Sequence, residues 1–251
     1  MKDLQELFSV RDKKVIITGA AKENGLGAHM AISMKHLGAL VLILDVDERV
    51  RKTADKNGLL YEICDISNPA GARAGFEAAV SKLNGIDVLI NCAGTQHRCA
   101  ADAFPAEDWE RVLRVNLSAT FFMCQLAAKH MREQGSGKII NISSISGFIG
   151  PKNMAAYAAS KGGVIQLTKA LSTEWSGLGI NVNSIAPGTT VTDFTKDIID
   201  TPQGQGMLSR IPMKRFGKPE DIVGAAVFLS SAASDYITGV TIPVDGGSLA
   251  N

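Results

Sequence analysis

The stretch KVIITGAAKENGLGAHMAISMKHLG, residues 14–38, determines the fold that the sequence predicts. It places an apolar, β-branched run at 14–18 before a glycine-bearing turn, and a helical pattern follows the turn. Glycines after the first strand of a parallel sheet allow backbone amides to approach a pyrophosphate at the start of the next helix. Taken alone this signal is weak, because the glycines at 19, 25 and 27 also suit a tight turn and depart from the G-x-G-x-x-G spacing.

Similar apolar runs recur along the chain and alternate with segments of helix length. The runs predict strands at 14–18, 40–44, 60–63, 87–91, 138–143, 180–186 and 240–244. Helical patterns cover 25–37, 69–83, 105–132, 157–176 and 219–230. Most of the runs are apolar throughout, which is typical of parallel strands buried on both faces. The sequence therefore predicts an α/β protein with a single-domain Rossmann fold, in which helices cover both faces of a doubly wound, seven-stranded parallel sheet.

No linker or repeat divides the chain, so we expect residues 1–251 to form one dinucleotide-binding catalytic domain. The segment 188–214 carries Gly, Thr, Pro and Asp and is too long for a simple connection. We interpret it as a substrate-binding lid.

Composition narrows the classes of partner. The formal net charge of +1 does not favour nucleic acid or an anionic membrane. The longest strongly apolar stretch, 39–44, has the length of a strand, and the N-terminal residues are too polar for a signal peptide. Cysteines at 64, 92, 99 and 124 have no metal-binding spacing, and the four histidines are scattered. We expect no metal site, reduced thiols and a cytoplasmic location.

A carboxylate ends the second predicted strand. Asp45 lies about 20 residues beyond the glycine turn, where an acidic side chain binds the hydroxyls of the adenine ribose. At that position it would repel the 2′-phosphate of NADP, so it favours NAD as the cofactor. A simple turn aspartate is the alternative. Lys22 favours NADP instead, since a cation in the glycine loop can pair with that phosphate.

One tyrosine has the setting of a proton donor. Of the three tyrosines only Tyr157 is followed four residues later by a lysine, Lys161, and a helix start would place both on one face. We expect the nearby cation to lower the pKa of the phenol toward a value useful for proton transfer. An incidental surface pair is the alternative, but Ser144 also lies nearby, at the end of the predicted strand 138–143.

These residues belong to an ordered series of motifs. TGAAKENGLG, CDIS, NCAG, NLSATF, INISS, YAASK and IAPGTTVTDF follow one another in an order that resembles the short-chain dehydrogenase/reductase family over nearly the full length. The resemblance implies carbonyl–alcohol chemistry with a nicotinamide cofactor and a small-molecule substrate. It implies that Ser144 hydrogen-bonds the substrate oxygen and that Tyr157 exchanges the proton. Lys161 would hold the nicotinamide ribose and tune Tyr157, and Asn116 would orient a water.

The same resemblance implies the cofactor contacts. Asp65 and Ile66 are expected at the adenine, and the segment from Pro187 to Thr192 at the nicotinamide. The full expected set is Gly19, Asn24, Gly25, Leu26, Asp45, Asp65, Ile66, Asn91, Ala93, Tyr157, Lys161, Pro187, Gly188, Thr190 and Thr192. Relatives commonly pair the helices that correspond to 105–132 and 157–176, which implies a homotetramer.

The chain departs from the usual family pattern in two places. Its glycine loop is two residues longer than T-G-x-x-x-G-x-G, and we expect Lys22, Glu23 and Asn24 to bulge toward the adenosine side. Enoyl-thioester reductases of the superfamily have a loop of this length but place the active tyrosine and lysine seven positions apart. The separation of four here favours carbonyl–alcohol chemistry. In addition, Cys92 stands where the family usually has a second asparagine.

Other stretches point to a substrate class. NCAGTQHR and the tail RFGKPEDIVGAAVFLSSAASDYITGVTIPVDGG resemble gluconate 5-dehydrogenases and deoxygluconate dehydrogenases. Arg98 follows the fourth predicted strand, within reach of a substrate carboxylate, so we expect Arg98, Ser144 and Tyr157 to bind substrate. A surface pair with Asp102 is the alternative for Arg98. Ser248 weakens the resemblance, because many members of that branch have tryptophan there.

Three functions stay open at this point. The first is an NAD-dependent dehydrogenase of a sugar acid or polyol. The second is a reductase of 3-oxoacyl thioesters on an acyl carrier protein, which shares every catalytic residue. The third is a nucleotide-sensing regulator that retains the fold without catalysis, and the complete catalytic set argues against it.

Overall fold

The computed structural model describes residues 3–250. Its strands are β1 Lys14–Thr18, β2 Leu40–Asp45, β3 Leu60–Ile63, β4 Val88–Asn91, β5 Gly137–Ile142, β6 Ile180–Pro187 and β7 Thr241–Val244. Its α-helices are α1 Leu4–Leu7, α2 Leu26–His36, α3 Arg49–Asn57, α4 Pro69–Leu83, α5 Ala106–Leu113, α6 Ala119–Gln134, α7 Ala155–Trp175, α8 Lys196–Ile199, α9 Pro202–Ser209 and α10 Pro219–Ser230. The strands pair in parallel in the order β3-β2-β1-β4-β5-β6-β7, which confirms the predicted single-domain, doubly wound sheet.

Alternate residues of the central strands pack on opposite faces of the sheet. In β1, Ile17 joins a buried cluster with Met30 of α2 and Ala226 of α10. Its neighbour Ile16 joins a second cluster with Phe76 of α4. Burying each isoleucine side chain completely contributes about 1.5–3 kcal/mol. Burial on both faces therefore explains why the strand sequences are apolar throughout rather than alternating.

Two helices begin at signals that the sequence contains. The side chain of Asn68 accepts a hydrogen bond from the backbone N–H of Ala70 at 2.9 Å, and Pro69 is the first residue of α4. Before α10, the carboxylate of Asp221 accepts a hydrogen bond from the backbone N–H of Lys218 at 2.7 Å. Both contacts satisfy backbone donors that a helix start leaves without partners.

The structure contains elements that the sequence patterns did not predict. The sequence patterns did not predict helix α3, because only Val50, Thr53 and Ala54 of its nine residues are buried. Three buried positions are too few to give a recognisable apolar period. The predicted helix 105–132 is divided into α5 and α6 by a π-helical turn at Arg114–Ser118.

The segment 188–214 is not irregular throughout. It contains α8 and α9, and α9 begins at Pro202 directly after a capping residue. That cap is Thr201, whose hydroxyl accepts a hydrogen bond from the backbone N–H of Gly204 at 3.2 Å. Short helices of four and eight residues give little apolar periodicity, which is why the sequence did not reveal them.

The strand order creates a crevice at one edge of the sheet. The chain adds β2 and β3 on one side of β1 and then places β4 to β7 on the other side. Open α/β sheets bind ligands outside the carboxyl ends of the strands at such a reversal. Thr18 and Asn91, which end β1 and β4, are in register across this point.

Two glycines inside helices provide a test of the packing. A Cβ on Gly75 of α4 would lie 2.6 Å from the Cβ of Cys64, whereas a Cβ on Gly224 of α10 would meet no described atom within 4 Å outside its own helix. We expect Gly75→Ala to lower the free energy of unfolding by about 1–3 kcal/mol through overpacking. Gly224→Ala should raise it by about 0.5–1 kcal/mol, because alanine loses less backbone entropy on folding. Urea unfolding measures both, and changes of the same sign would contradict the packing described for α4.

Candidate active site

A cavity of about 990 Å³ lies over the carboxyl ends of the strands. The segments after β1, β2 and β3 line one half, and the segments after β4, β5 and β6 line the other half. A space of this size is at the upper end of the range for ligand sites. It lies at the reversal of strand order, where the fold is expected to bind its ligands.

Most residues predicted for the site line this one cavity. They are Gly19, Gly25, Leu26, Asp45, Asp65, Ile66, Ala93, Arg98, Ser144, Tyr157, Lys161, Pro187, Gly188, Thr190 and Thr192. Asn24, Asn91 and Asn116 are not among the residues that line it. The fold therefore brings together residues that are up to 173 positions apart in the sequence, from Gly19 to Thr192.

The glycine loop lies against the loop that follows β4. Gly19 has a φ of +72°, and a Cβ there would lie 2.5 Å from the Cα of Ala93. A Cβ on Gly27 would lie 2.4 Å from the carbonyl oxygen of Gly19. Gly25 is the N-cap of α2 and offers no side-chain acceptor to the first-turn amides. These amides and the positive end of the helix dipole suit a pyrophosphate, so the residues present fit a nicotinamide dinucleotide.

The extra length of the glycine loop is bound to α3. The hydroxyl of Thr53 donates a hydrogen bond to the carbonyl oxygen of Ala21 at 2.7 Å. Lys56 pairs with Glu23 at 2.8 Å. Of the three residues expected to bulge toward the adenosine side, Lys22 lines the cavity, whereas Glu23 contacts α3 and Asn24 does not line the cavity.

Asp45 is held at the wall of the cavity by backbone amides. Its two oxygens accept hydrogen bonds from the N–H of Ala21 at 2.8 Å and the N–H of Asp47 at 3.1 Å. Asp47 also lines the cavity, and Arg49 donates two hydrogen bonds to it from Nε. The Arg49 side chain lowers the pKa of Asp47 to about 2. Lys22 lies on the same wall, so this end of the cavity carries charges of both signs.

Asn91, the last residue of β4, and Cys92, which follows it, have different surroundings from those that the sequence predicts. The Asn91 amide points into the core, where Nδ2 donates to Asn141 Oδ1 at 2.9 Å and to Cys124 Sγ at 3.2 Å. Its side chain therefore does not reach the cofactor cavity. Cys92 does line it, and burial raises the pKa of its thiol to about 12. The backbone N–H of Cys92 donates to the hydroxyl of Thr18 at 3.1 Å, which braces the loop without a side-chain amide.

Helix α7 brings the predicted proton donor and its cation to the centre of the cavity. Tyr157 lies in its first turn and Lys161 one turn later. The Lys161 ammonium donates to the carbonyl oxygen of Ile142 at 2.7 Å and lies 5.7 Å from the centroid of the Tyr157 ring. Ser144 follows β5 and accepts a hydrogen bond from the backbone N–H of Ser146 at 3.1 Å.

Burial dominates the ionisation of this pair. It raises the pKa of Tyr157 to about 12, although a hydrogen bond from Ser144 acts in the opposite direction. It lowers the pKa of Lys161 to about 8, because a buried ammonium loses its hydration. The expected lowering of the tyrosine pKa by Lys161 is therefore wrong for the protein by itself. Desolvation of the phenolate outweighs the hydrogen bond of Ser144 and the charge of Arg98, which both lower this pKa.

Asn116 braces two catalytic segments. It lies in the π-helical turn and is completely buried. Its Oδ1 accepts a hydrogen bond from the N–H of Thr95 at 2.8 Å, and its Nδ2 donates to the carbonyl oxygen of Thr95 at 2.9 Å. Nδ2 also donates to the hydroxyl of Ser160 at 3.0 Å, which itself donates to the carbonyl oxygen of Tyr157 at 2.7 Å. Both amide hydrogens are thus used to join the loop after β4 to α7.

Arg98 lines the cavity, and one of its donors is buried. Its Nε is inaccessible to solvent and has no hydrogen-bond partner among residues 3–250. The alternative pair with Asp102 is absent from the ion pairs of the described chain. Burial has the largest effect on the pKa of Tyr157 and raises it, whereas the charge of Arg98 lowers it. The guanidinium therefore has no carboxylate partner among residues 3–250, and a carboxylate on a ligand would supply one.

Several residues at the substrate half were missed by the sequence analysis. Arg111 donates to the hydroxyl of Thr95 at 3.1 Å and pairs with Asp108 at 2.6 Å. In the sequence this pair looks like an ordinary exposed contact on a helix. Ile149 and Phe194 also line the cavity, and the Phe194 ring centroid lies 6.3 Å from that of Tyr157. The only sequence signal for Ile149 and Phe194 was that each is an apolar residue in a loop, outside any helical or strand period.

A comparison with protein families now identifies the chain. The profile of a family described as enoyl-(acyl carrier protein) reductase matches residues 19–248. The chain belongs to the short-chain dehydrogenase/reductase family. As a member it is an oxidoreductase that acts on CH–OH groups with a nicotinamide cofactor. The separation of four positions between Tyr157 and Lys161 agrees with this carbonyl–alcohol chemistry.

Individual short-chain dehydrogenases are similar over almost the whole chain. The 2-dehydro-3-deoxy-D-gluconate 5-dehydrogenase of Escherichia coli is 40% identical over 249 residues, which cover 97% of this chain and 98% of the relative. The D-threitol dehydrogenase of Mycolicibacterium smegmatis is 34% identical and covers 96% and 94%. The crystal structure of a gluconate 5-dehydrogenase from Burkholderia cenocepacia, in complex with NADP and tartrate, has a TM-score of 0.93 at 34% identity, and covers 99% of this chain and 100% of that one.

Residues 3–250 offer neither a metal cluster nor a membrane-spanning helix. In that range no three or more His, Cys, Asp or Glu side chains are arranged to hold a metal ion. None of the helices in that range combines the length and apolar character needed to cross a membrane.

The depressed pKa of Lys161 predicts how stability depends on pH. Between pH 8 and 10.5 the unfolded lysine binds a proton that the folded one has lost, so this residue makes stability rise with pH in that window. Lys161→Met should therefore be more stable than the parent at pH 7, by about 3 kcal/mol at most, with a gap that closes toward pH 10.5. Urea unfolding at several pH values measures this difference. The control is Lys169→Met, an exposed position on the same helix, and a gap that did not change with pH would disprove the burial cost.

Proposed function

We propose that the protein is an NAD-dependent dehydrogenase of a sugar acid of the gluconate or deoxygluconate type. The observation that carries this proposal is Arg98, which lines the same cavity as Tyr157 and makes no ion pair among residues 3–250. A carboxylate can accept two parallel hydrogen bonds from a guanidinium. The names of the similar proteins support the same substrate class, since two of the three described above are dehydrogenases of gluconate-type acids.

In this proposal residues of α7 and of the loop after β5 carry the proton chemistry. Tyr157 gives its proton to the substrate oxygen during reduction and receives it during oxidation, and Ser144 holds that oxygen by a hydrogen bond. The bound nicotinamide supplies or accepts the hydride. Lys161 binds the nicotinamide ribose, and its buried charge favours the phenolate form of Tyr157 during the transfer.

Asn116 acts as a brace in this scheme. Its amide hydrogens are already donated to Thr95 and Ser160, so its Nδ2 has no hydrogen left to orient a water. Instead it holds the loop that carries Arg98 at a fixed position relative to the helix that carries Tyr157. Asp65, Ile66 and the segment from Pro187 to Thr192 would hold the two ends of the cofactor, and the segment 188–214 would cover the substrate as a lid.

Asp45 supports the choice of NAD. Its position at the end of β2 suits two hydrogen bonds from the ribose hydroxyls, and Asp47 adds a second negative charge beside it. Arg49, a candidate partner for a 2′-phosphate, is already paired with Asp47. Lys22 favours NADP, but a single exposed cation faces two carboxylates at this end of the cavity.

The other two functions fit the site less well. A 3-oxoacyl thioester would use the same Ser144, Tyr157 and Lys161, yet it has no carboxylate to pair with Arg98 in the cavity. A regulator without catalysis would not need the complete set around Tyr157. The homotetramer and the cytoplasmic location rest on the family resemblance and on the unpaired cysteines, and they stay predictions.

The substrate proposal predicts a selective effect of Arg98. Arg98→Ala should lower kcat/KM on a gluconate-type acid by about 10- to 100-fold, because charge-assisted hydrogen bonds contribute roughly 1.5–3 kcal/mol each. Activity on a neutral polyol of similar length should change little, since no anion loses its partner. Nicotinamide absorbance measures both reactions. Arg98→Lys should recover only part of the loss, because an ammonium cannot make the planar two-point contact.

Tyr157→Phe is the control for this experiment. It keeps the ring but removes the proton, so both activities should fall by about 10²–10⁴-fold together. If Arg98→Ala also lowered both activities equally, Arg98 would be a structural brace. If it lowered neither, the residue would play no part in substrate binding and the sugar-acid proposal would lose its main support.

The cofactor proposal predicts a preference that can be reversed. The parent should have a higher kcat/KM with NAD(H) than with NADP(H), and Asp45→Ser should reduce or invert the ratio, because repulsion of the 2′-phosphate is removed. Steady-state rates with each cofactor and the dissociation constant of each, measured by titration, provide two independent readouts. An equal or better efficiency of the parent with NADP(H) would disprove the assignment.

A further inference from the structure

The substrate half of the cavity has an apolar wall beside Tyr157. We call this wall the apolar rim and define it by Ile149, Phe194, Met207 and Ile211, which line the cavity from the loop after β5 and from the lid segment. Ile149 is 50% exposed and Phe194 is 40% exposed, although both are large apolar residues. Exposed apolar side chains grouped at a cavity are typical of a surface that a ligand covers.

A fully hydroxylated chain does not match such a wall. Hydroxyl groups placed against aliphatic and aromatic carbon lose hydrogen bonds to water without replacing them, which costs free energy. A hydrocarbon chain in the same place removes apolar surface from water on both sides, which is favourable. The apolar rim therefore suits a substrate that has carbon, rather than hydroxyl groups, at this end.

The apolar rim begins beside the reacting group. The ring centroid of Phe194 lies 6.3 Å from that of Tyr157, whose phenol exchanges the proton in the proposed reaction. Arg98 lines the same cavity and is the cation that would bind a carboxylate. A substrate that joins a carboxylate, a carbonyl and an apolar tail in this order would contact Arg98, Tyr157 and the apolar rim at the same time.

We infer that the protein also reduces oxo acids whose chain beyond the carbonyl is an unsubstituted hydrocarbon. This inference rests on the proposed function, because it uses the same Arg98 and Tyr157. The carbonyl carbon receives the hydride of NADH, the carbonyl oxygen receives the proton of Tyr157, and the products are a hydroxy acid and NAD⁺. Tyr157 regains its proton from solvent, so the reaction requires no other reactant.

A chain-length series tests the inference. The compounds are 5-oxohexanoate, 5-oxoheptanoate, 5-oxooctanoate and 5-oxononanoate, which keep the spacing between carboxylate and carbonyl of 5-ketogluconate and lengthen only the tail. We expect kcat/KM for reduction to rise about 2- to 4-fold with each added methylene, because burying one contributes about 0.8 kcal/mol when complete. The hydroxylated reference, 5-ketogluconate, is assayed under the same conditions.

Matched variants assign the effect to the apolar rim. Ile149→Ser should flatten the dependence on chain length and lower the ratio of activity on 5-oxononanoate to activity on 5-oxohexanoate at least 3-fold. Leu37→Ser is the control, since Leu37 is equally exposed at 49% but does not line the cavity. It should leave the chain-length dependence as it is in the parent.

Each result distinguishes the inference from the proposed function. A parent enzyme that reduces 5-ketogluconate but shows no rise along the series overturns the inference and leaves the proposed function. A rising series without activity on the sugar acid supports the apolar rim and overturns the proposed substrate. Inactivity on all five compounds overturns both, and a series that rises equally in Ile149→Ser shows that the apolar rim is not the cause.

Discussion

The close approach of three backbone segments at the sheet reversal is the constraint on which the rest of the structure depends. The loop after β1, the start of α2 and the loop after β4 meet without side chains between them, because a Cβ on Gly19 or Gly27 would lie within 2.5 Å of backbone atoms. This contact sets the distance between the adenosine half and the substrate half of the cavity. It also leaves the first-turn amides of α2 accessible at the point where the two halves join.

A second constraint is the burial of charge. Lys161 is 4% exposed and its ammonium is held by the carbonyl oxygen of Ile142, so the protein carries a cation that its surroundings disfavour. A carboxylate nearby would relieve this cost, but it would also cancel the positive charge that, in the proposed reaction, favours the phenolate of Tyr157. The fold thus retains a locally unfavourable arrangement at the site of chemistry, and the apolar clusters on both faces of the sheet stabilise it.

The sequence predicted the sheet and most of the site because both depend on local patterns. Continuous apolar runs indicated the strands, and motifs at strand ends indicated the residues that parallel strands bring to one edge. Side-chain direction and ionisation depend on neighbours that are distant in sequence, and there the predictions failed. The Asn91 side chain points into the core, and burial raises the pKa of Tyr157. Helix α3 was missed because few of its residues are buried.

The π-helical turn at Arg114–Ser118 limits how the gene of this protein can change in length. A π turn contains one residue more than the α-helical turn it replaces, and here it places Asn116 against Thr95 and Ser160. Each residue of an α-helix advances the chain by about 100°, so a deletion of one codon between α5 and α6 would rotate Asn116 away from both partners. Surface loops tolerate such deletions, but the number of residues between α5 and α6 cannot change without displacing Asn116.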